Sequence, residues 1–98
     1  MMKKDFISSI EIDNEGRLLI KPEKEKFNLI YRTASEVHWD QAKSVLYSPK
    51  PSEWSYLDWY KHIMTIVEAE CLCSLSLNEN TIWTNIPQEL KSQIENLK

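Results

Sequence analysis

A single glycine, Gly16, in a chain of 98 residues rules out whole classes of site. Loops that cradle a phosphate need several glycines at fixed spacing, because only a residue without a Cβ lets the backbone come so close to the ligand. The P-loop and the dinucleotide fingerprint are therefore both excluded. What Gly16 can do is turn a hairpin. It closes Asn14-Glu15-Gly16, where it supplies the positive φ of a tight turn. Before it, Phe6, Ile10 and Ile12 fall on even positions and share one face of an extended chain. After it, Leu18-Leu19-Ile20 returns as the partner strand, stopped by Pro22 and the charged run Glu23-Lys24-Glu25-Lys26. Phe27, Leu29 and Tyr31 alternate again and predict a third strand.

Residues 33–47 fit two patterns. As a helix, Thr33 and Glu36 make a capping box, and Ala34, Val37, His38, Ala42 and Val45 form a stripe. As a hairpin, Val37-His38-Trp39 and Ser44-Val45-Leu46-Tyr47 pair about a turn at Asp40. Pro49 and Pro51 then punctuate the chain. Beyond them the spacing predicts a helix from about Tyr56 to Glu70. Ser55 is its N-cap, with Asp58 as capping-box partner. Leu57, Tyr60, Met64, Val67 and Cys71 recur every three or four residues as an apolar stripe, with Asp58, Lys61, His62, Thr65 and Glu68 opposite. Cys71, Cys73, Leu75 and Leu77 alternate as a strand. Asn78-Glu79-Asn80 turns, Thr81-Ile82-Trp83-Thr84 makes another strand, and Pro87 opens a short helix through Leu90, Ile94 and Leu97. The expected fold is α+β. A single domain, residues 1–98, forms an antiparallel sheet of four to six strands packed on the helix at about 56–70, with a short C-terminal helix.

Composition agrees with one self-sufficient core: 42% of residues are apolar and 28% charged. The apolar stretches fall short of the ~18–20 residues of a membrane span. Lys3 and Lys4 precede no apolar run of signal-peptide type. Cys71 and Cys73 flank one residue, a spacing that strains a disulfide, so both are expected as free thiols. These features lead to the expectation of a cytoplasmic protein.

The net charge is −3, and between Glu36 and Glu79 seven acids stand against three lysines, a local −4. Such a surface repels phosphate and attracts a basic partner. Direct nucleic-acid binding is not expected. His38, His62 and Lys61 would be the raw material of an RNase-like acid–base set. Two histidines in 98 residues are ordinary, however, and Asp58 lies one turn from His62, as in a surface pair. Cys71 and Cys73 with a histidine miss the spacing of structural zinc. Cys71, at a helix C-terminus after Glu68 and Glu70, is also poorly placed for a thiolate. No catalytic residue, metal or cofactor is expected.

The run Glu53-Trp54-Ser55-Tyr56-Leu57-Asp58-Trp59-Tyr60 concentrates aromatics and acids. Trp and Tyr dominate interface hot spots, and by helical phase Trp54 points to the polar side. Glu68 and Glu70 stand in the last helical turn, where the macrodipole disfavours negative charge. Asp40, Glu53, Trp54, Asp58, Glu68 and Glu70 are therefore the candidate partner-binding residues.

The small acidic α+β pattern, with Tyr31-Arg32-Thr33-Ala34, Val37-His38-Trp39-Asp40, Pro51-Ser52-Glu53-Trp54 and Thr81-Ile82-Trp83-Thr84-Asn85-Ile86-Pro87, resembles the immunity proteins of bacterial polymorphic-toxin and contact-dependent growth inhibition systems. The resemblance implies a small cytoplasmic protein that binds and neutralises one cognate toxin, basic and of nuclease type. It transfers no catalytic residue. An adaptor or self-associating subunit of a cytoplasmic complex is the alternative from another class.

Overall fold

The computed structural model describes residues 3–27, 30, 36–49, 52 and 54–97. The chain runs β1 (Lys3–Ile12), β2 (Leu18–Pro22), β3 (His38–Asp40), β4 (Val45–Tyr47), α1 (Tyr56–Cys71), β5 (Cys73–Ser76), β6 (Ile82–Thr84) and α2 (Gln88–Glu95).

The β1–β2 turn is built by Asp13 as much as by Gly16. The Asp13 carboxylate accepts from the backbone N–H of Glu15 and Arg17 and from Arg17 Nε, at 2.8–3.0 Å. Gly16 takes the expected positive φ of 79°. Along β1 the simple alternation breaks. A bulge between Ile7 and Ser9 shifts the register against β2, so Ile7 and Ile10 both point into the core and Phe6 turns out, 47% exposed. The even-position reading of Phe6 with Ile10 is corrected by that one extra residue.

The segment around Phe27 is not a strand among the described residues. The buried Asp5 carboxylate accepts from the backbone N–H of Lys24 and Glu25, both at 2.8 Å. These bonds pin the charged loop that leads into Phe27 back onto β1. Ile30 N–H then donates to Phe27 O at 3.0 Å in a tight turn, and Phe27 and Ile30 are both buried. Leu29 and Tyr31 lie outside the described residues.

Residues 38–47 form the hairpin. Asp40 Oδ1 accepts from the N–H of Ala42 and Lys43, at 3.0 and 3.1 Å, and so builds the turn between β3 and β4. The Thr33 end of the rival helix pattern lies outside the described residues.

The sheet has six strands in the order β3-β4-β2-β1-β5, with β6 also on β1. It is mixed rather than purely antiparallel: β5 pairs with Lys3–Phe6 of β1 and β6 with Ser9–Glu11, both in parallel. Together they form one interrupted edge. Thr81 fills the interruption, its Oγ1 donating to Ile7 O at 2.7 Å.

Helix α1 has the expected start, with Ser55 and Asp58 in a reciprocal capping box. Tyr56 Oη donates to Gly16 O at 2.9 Å and ties that end to the first turn. The buried stripe is Trp59, Tyr60, Ile63 and Val67, rotated from the expected one. Leu57, Met64 and Cys71 are only half-buried, because the Met64 flank borders an open groove. Ile63 and Val67 pack with Ile7, Ile10, Ile20 and Leu46 of the sheet and with Leu90 and Ile94 of α2. Pro87 is the cap of α2 rather than its first residue. Leu97 falls beyond the helix end and is exposed.

Candidate functional site

The exposed flank of α1 carries Asp58, Lys61, Thr65 and Glu68, which succeed one another every three or four residues and so lie on one line. At the N-terminal end of this line stands Trp54, 44% exposed. Its ring centroid lies 4.9 Å from that of Trp59 and 5.1 Å from that of His62. Trp59 is buried and holds the exposed ring in place from beneath. His62, placed on the polar flank by the sequence pattern, is half-buried within this ring cluster.

The other proposed carboxylates are distributed as follows. Asp58 shares the α1 line, and its Oδ2 accepts from Ser55 N–H in the capping box. Glu68 is exposed on the same line and borders the groove, while Glu70 is exposed near the helix end. Asp40 belongs to β3, at the far edge of the sheet from β5, and its carboxylate is engaged in the hairpin turn. Glu53 lies outside the described residues. The fold thus brings Trp54, Asp58 and Glu68 onto one side of α1 and leaves Asp40 on the edge strand opposite β5.

His38 and His62 do not share a cleft. Trp39 pairs with core-facing Leu46, so its neighbour His38 points to the other side of the sheet, where it stacks on Tyr47 at 5.2 Å. His62 lies with α1, on the core side. Cys71 and Cys73 are free thiols. Burial, and then Glu70, push the Cys71 thiol above its ordinary value. Burial does the same to Cys73, followed by Glu25 and Asp5. Both favour the inert thiol over the thiolate. Among the described residues no group of three or more His, Cys, Asp or Glu side chains could hold a metal ion. No helix among them is long and apolar enough to cross a membrane.

Sequence reasoning missed the groove beside this line. A depression of about 700 Å3 runs between α1, β5 and the end of α2, lined among others by Tyr60, Met64, Glu68, Leu75, Leu77 and Leu97. A second hollow of about 410 Å3 lies between Met64, Thr65, Glu68, Ala69 and Leu72. Leu72 is the residue that joins α1 to β5. It holds the left-handed conformation, φ 52° and ψ 43°, which costs a residue with a Cβ about 1–2 kcal/mol and which glycine usually fills. Its N–H donates to Val67 O, and its carbonyl accepts from Lys3 N–H at 2.8 Å. Its side chain remains 59% exposed. The available signal was a helix passing into a strand with no glycine between them.

The profile of the integron cassette protein Hfx_Cass5 matches residues 5–81. The chain belongs to the Hfx_Cass5 family. A solved structure of integron cassette protein Hfx_Cass5, from the mobile metagenome of North West Arm Sewage Outfall, is 40% identical, with a TM-score of 0.52. The match covers 96% of this chain and 94% of that one. No curated protein matches the chain. The Hfx_Cass5 descriptions name no activity, ligand or partner, and nothing in them links the family to toxin immunity proteins.

Proposed function

We propose that the protein is a binding domain for a basic protein, and that the partner is a toxin of nuclease type which it neutralises. The observation that carries this reading is the exposed Trp54 ring. Packed at a tilt on Trp59 and edge-on to His62, it stands at the head of the α1 line that includes Asp58 and Glu68. A pre-positioned aromatic loses little freedom on binding and can serve as an anchor. Carboxylates beside it steer a basic partner and would stand in the place of its substrate phosphates. The domain itself would then contribute no catalytic group and need no cofactor.

The test is a panel of purified basic nuclease-type toxin domains, assayed for binding kinetics and for nuclease inhibition over a salt series. One of them should bind, lose activity, and associate more slowly as salt rises. Glu68→Lys/Glu70→Lys should slow association, and Trp54→Ala should speed dissociation. A panel in which no domain is bound or inhibited defeats the toxin reading. Salt-independent association removes the electrostatic part, and unchanged dissociation removes Trp54.

Self-association is favoured by a separate observation. Phe6 and Ile82, 47% and 61% exposed, lie on the sheet face turned away from the helices. Sedimentation at rising concentration decides it, since a persistent monomer rejects self-association.

A further inference from the structure

We infer that the groove between α1 and β5 is a binding site for an extended peptide segment of a partner protein, which adds as a strand to the open edge of β5. The inference rests on the partner being a protein, and does not require that it be a toxin. Three observations converge on it.

The first is backbone chemistry. β5 pairs with β1 on one side. Among the described residues no backbone hydrogen bond engages its other side. An edge strand in that condition presents a row of donors and acceptors to any extended chain. Proteins commonly blunt such an edge with charge or proline, yet Cys73-Ser74-Leu75-Ser76 contains neither. The groove lies along this strand, with Ser74, Leu75 and Ser76 in its lining and α1 as its other wall. A strand laid between an edge strand and a helix is an established mode of peptide recognition. At about 3.3 Å per residue, the four residues of β5 match a segment of roughly four to six residues.

The second is side-chain chemistry. Met64, Leu75, Leu77 and Leu97 give the groove apolar ground, and Glu68 and Glu95 outnumber Lys61 among its charges. The fitting segment therefore alternates apolar side chains with lysine or arginine, the complement of that lining.

The third is Leu72. A leucine stands where backbone geometry favours glycine, and its side chain is left largely in water beside the second hollow. Folding gains nothing evident from that choice. A bound segment crossing the end of α1 would cover the side chain.

The experiment uses the full chain, isotope-labelled, with a displayed library of random ten-residue peptides and synthetic copies of those enriched. Enriched peptides should alternate apolar and basic residues. Their binding should shift the amides of residues 73–77 and slow hydrogen exchange at alternate positions of β5. Leu72→Gly should raise the unfolding midpoint yet weaken binding roughly tenfold, the loss of one anchor. Glu68→Lys should weaken it comparably while leaving the protein folded. The groove is rejected if no peptide is enriched, if shifts fall elsewhere, or if Leu72→Gly leaves affinity unchanged. A dimer whose protected amides are those of β5 also overturns it, in favour of a second copy as occupant. A toxin domain that is neutralised with β5 unperturbed sinks the groove and leaves the proposed function standing. Peptides held on β5 by a protein that inhibits no toxin domain do the reverse.

Discussion

At one edge of the sheet, β3 is three residues long, ends in Asp40 and turns back at once through that carboxylate. At the other edge, β5 presents uncharged residues to a groove, between a left-handed leucine and the loop that leads to β6. Both are short edge strands in sheet order, of three and four residues, but only the first carries a charge that discourages further pairing. The difference separates two uses of the same backbone. The β3 side turns back through a side-chain carboxylate and is backed by core residues of β4. The β5 side is held by its pairing to β1 and left open outward.

The two edges should differ most when one leucine is removed from each side. Leu46, on β4 beside β3, is fully buried, and Leu46→Ala should cost about 2–5 kcal/mol. Leu77, which follows β5 and lines the groove, is half-buried, and Leu77→Ala should cost about 1 kcal/mol or less. Urea unfolding measures both. Equal costs would mean that the β5 side is packed as tightly as the other, and that the groove is not an open feature.

Asp5 tests what holds β1, the strand on which the β5 edge depends. Burial alone would raise its carboxyl, but backbone N–H groups of Glu25, Lys24 and Phe6 override that and hold it below the ordinary 3.8. Asp5→Asn should cost about 2 kcal/mol at pH 7 through weakened charge-assisted bonds. A depressed folded value means the folded state binds this proton more weakly than the unfolded chain. The Asp5 contribution is therefore complete above the unfolded value and is lost as pH falls through the folded one. Wild type and Asp5→Asn should draw together in stability as pH falls through the depressed folded value, beneath the ordinary aspartate range. Parallel pH profiles would show that these hydrogen bonds do not stabilise the fold.

How much of this was readable before folding depends on how far apart the partners are. Ser55 and Asp58 are three residues apart, and their capping box and helix emerged as expected. The hairpin at Asp40 was one of two open readings, since residues 33–47 satisfied helical and extended periodicity alike. The outcome rests on a turn whose hydrogen bonds reach only two and three residues. The bulge in β1 and the parallel course of β5 and β6 left no trace, because period-2 alternation specifies faces and not direction. The groove joins α1, β5 and α2, and no local pattern encodes that meeting. Of the candidate binding residues, Trp54, Asp58 and Glu68 were legible from helical phase. Asp40 was legible as an acid, and its role in the turn emerged only with the hairpin.

Asp40→Ala addresses the β3 edge alone. It removes the acceptor for the Ala42 and Lys43 N–H groups at a partly exposed turn, and should cost about 1 kcal/mol. Amide exchange should quicken in β3 and β4 and stay unchanged in β5. Faster exchange across both edges would mean that the sheet opens as one unit.

The smallest effect expected has the most informative sign. Glu68 stands in the last turn of α1, which contains no basic residue, so the helix dipole opposes its charge. Glu68→Lys should therefore stabilise the fold, by about 0.3–1 kcal/mol at low ionic strength, and the gain should shrink as salt is added. The same substitution reverses a charge at the rim of the groove and should weaken a basic partner. A carboxylate that costs the fold and serves binding must show both signs in one variant. If Glu68→Lys destabilises the isolated protein, Glu68 has a structural role on the helix surface, and its position beside β5 ceases to argue for a ligand.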